Sequence, residues 1–179
     1  SIDILSIAKL IPLSKNLDGS VKKEQLEFCN NFQILATTLS SDGAQAAVAT
    51  SSKCVILLSL SPSSISIIRS FRIPKPPTSI IFDREDKFVV VGDRAGVVRR
   101  YTVERESKDD KDDEDDADER DYEGHFLCSV ISMVLDLAFS HCGKYLLVTD
   151  RDEKLRVYRY PQALYTITLS CHQKDYVNT

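Results

Sequence analysis

Three stretches of the chain align with one another without a gap: Leu39 to Leu58, Phe82 to Tyr101 and Phe139 to Tyr158. Their first residues are separated by 43 and 57 positions. Each stretch reads as a short apolar strand, a polar turn, a second apolar strand, another turn and an alternating strand. The repeat therefore predicts an antiparallel β-meander that recurs along the chain.

A repeat in the low forties with about four strands per unit is typical of a WD-repeat β-propeller, whose blades pack face against face. A closed propeller of seven such blades needs roughly 300 residues, and this chain has 179. Both ends also read as strand or blade-start sequence. We therefore predict an all-β WD-repeat propeller fragment with about three full blades and a partial blade at each end.

Turn and strand signals predict where the blades begin and end. Pro74, Pro76 and Pro77 exclude a central strand and indicate a crossover into a second blade. A Gly-His pair at 124–125 and a Cys-His pair at 171–172 mark later blade starts. The predicted segments are the end of a preceding blade with its connection (1–31), a blade (32–73), a second blade (74–103), an acidic insertion (104–123), a third blade (124–170) and the start of the next (171–179).

The acidic insertion at 104–123 explains why the second repeat offset is longer than the first. It holds thirteen Asp or Glu residues against four Lys or Arg. Because the whole chain carries a net charge of −4, the remainder carries +5. Such a run predicts a disordered, solvated loop, with an autoinhibitory contact or a contact to a nuclear factor as the alternative.

Cysteine usage and hydropathy indicate the compartment. The five cysteines are odd in number and form no Cys-x-x-Cys pair, and no signal peptide or long apolar span is present. We expect a protein of a reducing intracellular compartment, with no zinc site and no membrane contact.

The third repeat carries polar residues that match a structural network of WD blades. In such blades the His of Gly-His and an Asp six residues before the Trp-Asp position share buried hydrogen bonds. His125 and Asp152 match these positions, with Tyr158 in place of the Trp. We predict that both residues stabilise the blade and have no part in catalysis.

Signatures of catalysis are missing from the sequence. We find no phosphate-binding Gly-rich loop, no Gly-x-Ser-x-Gly and no His-Glu-x-x-His, so we predict no catalytic, cofactor-binding or metal residues. Propellers present rigid loops to other macromolecules, which favours a binding role. An enzyme whose active site lies outside this segment is the less favoured alternative.

The turn between Asp150 and Tyr158 is more highly charged than a blade turn requires. Glu153 and Arg156 are close enough to pair, and Arg151 and Lys154 can face a partner or a phosphate. The alternative is a solvated charged hairpin.

This run, Asp-Arg-Asp-Glu-Lys-Leu-Arg-Val at 150–157, resembles the non-catalytic WD-repeat subunit of tRNA (guanine-N7)-methyltransferase. The resemblance extends to Ile34 to Ser40, Val89 to Gly96 and Leu135 to Tyr145. It implies a non-enzymatic scaffold that stabilises and activates a separate catalytic subunit in a heterodimer. That subunit would bind S-adenosylmethionine and methylate a guanosine in the tRNA variable loop, with no cofactor in this chain.

The resemblance also implies where the chain acts and with which residues. It predicts a partner interface at Arg151, Glu153, Lys154 and Arg156, and tRNA contact mainly through the complex. The expected location is the nucleus, with the cytoplasm second. The alternative is a generic WD-repeat adaptor of another complex, which would share the blades but use another surface.

Overall fold

The computed structural model describes residues 33–104 and 124–170. These residues form three four-stranded antiparallel sheets and contain no helix. The strands are β1 (Ile34–Leu39), β2 (Gln45–Thr50), β3 (Cys54–Ser61), β4 (Ser64–Arg72), β5 (Pro77–Phe82), β6 (Phe88–Asp93), β7 (Val97–Thr102), β8 (His125–Ser129), β9 (Val134–Phe139), β10 (Tyr145–Asp150), β11 (Lys154–Arg159) and β12 (Leu164–Ser170). The predictions made for 1–31, for 105–123 and for 171–179 lie outside the described residues.

Each sheet is a meander in which neighbours in the chain are neighbours in space. The first sheet holds β1 to β4, the second β5 to β8 and the third β9 to β12. The first strands of consecutive sheets lie side by side, with β5 between β1 and β9. The all-β prediction is confirmed, and the three stacked sheets form an open array consistent with part of a propeller.

The predicted boundary between the second and third blades is wrong. β8 follows the acidic insertion but pairs with β7, with Val98 opposite Cys128 and Arg100 opposite His125. The insertion therefore joins the third and fourth strands of one sheet instead of separating two blades. The entropy cost of closing a loop grows slowly with its length, so two antiparallel strands can pair although a long insertion separates them. The insertion hides this pairing in the sequence. The four strands of the first sheet lie within the predicted blade 32–73.

Two apolar layers hold the sheets together. One lies between the first and second sheets, where the rings of Phe71 and Tyr101 stack with centroids 4.5 Å apart. The other lies between the second and third sheets and includes Val90, Val134 and Leu146. β6 supplies both layers, since successive side chains of a strand point to opposite faces. This explains why the three consecutive valines of β6 do not alternate with polar residues.

Gly92 allows the second and third sheets to approach closely. A Cβ atom at this position would lie 2.6 Å from Cγ1 of Val134 on β9. Any larger residue would push the first strand of the third sheet away. The position of the third sheet, and of the charged turn that it carries, therefore depends on this glycine.

Candidate partner-binding surface

Three equivalent turns join the second and third strands of the sheets, at 50–54, 93–97 and 150–154. In each, the side chain of the first residue accepts a hydrogen bond from the backbone N–H of the fifth, and the two aspartates accept a second one from the third. Asp93 Oδ1 accepts from the N–H groups of Ala95 and Val97, at 2.8 and 3.0 Å. Asp150 Oδ1 accepts from those of Asp152 and Lys154, at 3.0 and 3.2 Å. The turn is thus built around its first residue, as an Asx-turn.

The predicted buried network of His125 and Asp152 is wrong. Asp152 is exposed, and the buried carboxylate of the turn is Asp150. His125 is also exposed, because it opens β8, the outer strand of the second sheet. An Asx-turn needs its carboxylate two residues before the N–H that it accepts, and Asp150 meets this requirement. The sequence prediction chose Asp152 because it lies six residues before Tyr158, and this spacing identified the wrong aspartate of the run 150–157.

Arg156 pairs with Asp150. The sequence had indicated Glu153 as its partner. Its guanidinium donates to Asp150 Oδ2, and the two side chains are 11% and 0% exposed. Burial opposes ionisation of Asp150, but the hydrogen bonds from Arg156 and from the N–H groups of Lys154 and Asp152 outweigh it. The pKa of Asp150 consequently lies below its usual value. This pair joins the end of β10 to β11 across the turn.

The predicted interface residues occupy different depths. Arg151 and Glu153 are exposed, Lys154 is half-buried and Arg156 is buried. Glu153 has a φ of 57°, so its backbone adopts the left-handed conformation within this turn. The structure thus brings Arg151, Glu153 and Lys154 together at the surface. Arg156, on β11, pairs with the first residue of the turn, and only 11% of its side chain is exposed.

The sequence prediction missed two neighbours of this turn. Arg94 is exposed at the equivalent position of turn 93–97, and the repeat offset of 57 could have identified it from Arg151. Ile131 lies in the loop between β8 and β9. That loop contacts both turns: Val130 N–H donates to Gly96 O at 2.8 Å, and Arg151 N–H donates to Met133 O at 3.0 Å. No sequence pattern marked Ile131.

The chemistry of this surface suits binding of a macromolecule. It combines charged side chains with an exposed aliphatic side chain on hydrogen-bonded backbone. Within 33–104 and 124–170, no group of three or more His, Cys, Asp or Glu side chains is placed to hold a metal ion. The same residues contain no helix long and apolar enough to cross a bilayer.

No family model matches the chain. Curated proteins do match it. A Caenorhabditis elegans protein named tRNA (guanine-N(7)-)-methyltransferase non-catalytic subunit is 42% identical over 107 residues, covering 60% of this chain and 24% of the relative. The mouse protein of that name, WDR4, is 32% identical over 149 residues, covering 83% of this chain and 31% of the relative.

A zebrafish relative with the same name, wdr4, is 26% identical over 166 residues, covering 93% of this chain and 36% of the relative. The chain therefore spans about a quarter to a third of the length of the curated relatives it matches. The resemblance predicted from the sequence is confirmed, because these homologues carry the name of the predicted subunit.

Proposed function

We propose that this chain is part of a non-catalytic subunit that binds the catalytic subunit of a tRNA (guanine-N7)-methyltransferase. The proposal is supported by the names of its C. elegans, mouse and zebrafish relatives. The single structural observation that carries it is the charged turn 150–154. Its backbone is held by hydrogen bonds to Asp150, which also forms a buried pair with Arg156.

The proposed mechanism is stabilisation of a partner. A rigid surface that binds the active conformation of an enzyme better than its inactive conformation shifts the population toward the active one, without supplying catalytic groups. In this proposal Arg151, Glu153 and Lys154 contact the catalytic subunit directly. Arg156 holds the turn in place and reaches the partner only through the exposed fraction of its side chain.

The chemical step belongs to the partner in this proposal. The catalytic subunit would bind S-adenosylmethionine and methylate a guanosine in the tRNA variable loop, and this chain would form a heterodimer with it. The net charge of +5 outside the acidic run favours nearby tRNA, with most contacts made through the complex. We propose the nucleus as the principal site of action, with the cytoplasm second.

Co-expression of the full-length protein with its candidate methyltransferase tests the proposal. Pull-down should recover a complex, and tRNA N7-methylation should exceed that of the catalytic subunit alone. The double variant Glu153→Lys and Lys154→Glu should weaken the complex about tenfold or more, since charges at a desolvated interface contribute strongly to affinity. The reversed exposed pair in another turn, Glu85→Lys with Lys87→Glu, is the matched control.

The control should bind and activate like the wild type. Failure to recover a complex, or a complex without increased methylation, would contradict the proposal and favour the WD-repeat adaptor of another assembly. An equal loss of affinity in both double variants would show that the effect is not specific to turn 150–154, and this turn would no longer be assigned to the interface.

A further inference from the structure

Ile131 is the most exposed large apolar side chain among the described residues, at 87% of its surface. The valines that flank it behave differently, since Val130 in the loop and Val134 at the start of β9 are both buried in the layer between the second and third sheets. Water therefore covers one aliphatic side chain whose backbone is anchored on both sides. Single exposed apolar residues are common, so exposure alone does not assign a role.

The loop that carries Ile131 is held in place by both neighbouring turns. Its hydrogen bonds run from Val130 N–H to Gly96 O and from Arg151 N–H to Met133 O. It also packs tightly on turn 93–97, because a Cβ atom at Gly96 would lie 2.4 Å from Val130 O and 2.5 Å from Ser132 O. Ile131 is thus presented on preorganised backbone, which lowers the entropy lost on binding.

The equivalent loop between the first and second sheets shows that the fold does not require this side chain. It makes the same two hydrogen bonds, from Ile73 N–H to Lys53 O at 2.9 Å and from Arg94 N–H to Pro76 O at 3.0 Å. Its residue at the position of Ile131 is Pro74, which is half-buried. The scaffold therefore forms equally well without a protruding aliphatic side chain.

Charged residues lie in the two turns that hold the loop of Ile131. Arg94 and Arg151 are exposed in the two turns that hold its loop, and Asp152, Glu153 and Lys154 follow in the second turn. Asp152 and Glu153 nearly balance the three cations, so the surface lacks the strong positive charge that binds a polyanion. An RNA backbone would also offer the aliphatic side chain no apolar pocket, whereas protein interfaces combine a buried apolar centre with a charged rim.

We propose that Ile131 is the apolar anchor of the partner interface, with Arg94 and Arg151 in the two turns that hold its loop. We call Arg94, Ile131 and Arg151 the junction surface. It fits a protein surface with an apolar pocket bordered by carboxylates. The occupant is the catalytic methyltransferase subunit, so this inference rests on the proposed function and extends its interface from the third sheet to the second.

The test measures the Kd between the full-length protein and the catalytic subunit by biolayer interferometry. Ile131→Asp should raise Kd about 10- to 100-fold, the change expected when one buried aliphatic side chain is lost from an interface. Arg94→Ala should raise it by a smaller factor. Phe126→Ser, which alters a side chain that is 55% exposed on β8, is the control and should leave Kd unchanged. The melting temperature of Ile131→Asp should match the wild type.

Three results would overturn the inference. If Ile131→Asp binds the catalytic subunit as the wild type does, Ile131 is not an anchor while the proposed function stands. If the wild-type proteins do not associate, the proposed function fails and the inference fails with it. If Ile131→Asp leaves subunit association intact but weakens tRNA binding by the complex, the junction surface contacts RNA.

Discussion

Turns 93–97 and 150–154 have the same backbone hydrogen bonds but different side chains on that backbone. Asp93 and Asp150 each accept two N–H groups, and each has an arginine six residues later. In turn 93–97 the arginine is Arg99, 3.6 Å from the carboxylate and 23% exposed. In turn 150–154 the pair is buried and in direct hydrogen-bond contact.

This comparison separates the requirements of the fold from features added to it. Turn 50–54 has Thr50 at the first position and Ile56 at the sixth position after it, so the fold does not need an ion pair at all. Its Thr50 Oγ1 still accepts a hydrogen bond from Cys54 N–H, at 3.3 Å. The hydrogen-bonded first residue is therefore structural. The pair in the third sheet is more deeply buried than the pair in the second, and it joins β10 to β11 at the turn that we propose to contact the partner.

The largest expected effect comes from removing the carboxylate of each turn. Asp150→Ala should destabilise the full-length protein by about 3–5 kcal/mol, because it leaves the guanidinium of Arg156 buried without its partner. Asp93→Ala loses the same kind of backbone hydrogen bonds, but Arg99 can hydrate, so about 1–2 kcal/mol is expected. Urea denaturation measures both. Equal losses would show that burial of the pair does not matter.

A smaller effect is expected at the left-handed position of each turn. Gly96 has a φ of 83° and lies against the carbonyl groups of the next loop, so Gly96→Ala should cost about 1–3 kcal/mol. Glu153 adopts a φ of 57° with a side chain, so Glu153→Gly should gain up to about 1 kcal/mol. Thermal unfolding compares the two. A loss of stability in Glu153→Gly would mean that its side chain supports the turn.

The smallest effect concerns acid stability. Because the pKa of Asp150 is lowered on folding, its stabilising contribution is present above its unfolded pKa near 3.8 and is lost as the pH falls through the folded value. The melting temperature of the wild type should therefore fall more steeply below about pH 4 than that of Asp150→Asn. Asp93→Asn is the matched variant. The prediction would be contradicted if the melting temperatures of the wild type and Asp150→Asn fell equally steeply with decreasing pH.

Acid stability also distinguishes Asp150 from Asp83, a carboxylate in the first turn of the second sheet. Burial raises the pKa of Asp83 despite hydrogen bonds from the N–H groups of Phe88 and Lys87. A group whose pKa is raised on folding opposes folding once the pH exceeds its unfolded value, so its contribution has the opposite sign. The loss of wild-type stability at acidic pH is therefore the sum of the two opposite contributions, from Asp150 and from Asp83.

Much of the fold could be predicted from the repeat, because alternating apolar residues and turn residues act locally. Gly96 follows this local logic, since it lies in turn 93–97 and adopts a positive φ. The position of β8 could not be predicted, since the insertion hides its pairing with β7. The candidate site was predicted in part: the charged turn was identified, whereas the buried carboxylate was assigned to Asp152 instead of Asp150.

The sequence by itself determined the repeating β-meander, its turns and the resemblance to the methyltransferase subunit, because each depends on residues close together in the chain. Only the tertiary structure decided which strand completes the second sheet, which acid pairs with Arg156 and how far Ile131 protrudes. These depend on which sheets pack together and what that packing removes from water. The charged run 150–157 thus identified the candidate surface from the sequence. The packing of neighbouring sheets determined which of its side chains are buried and which are exposed.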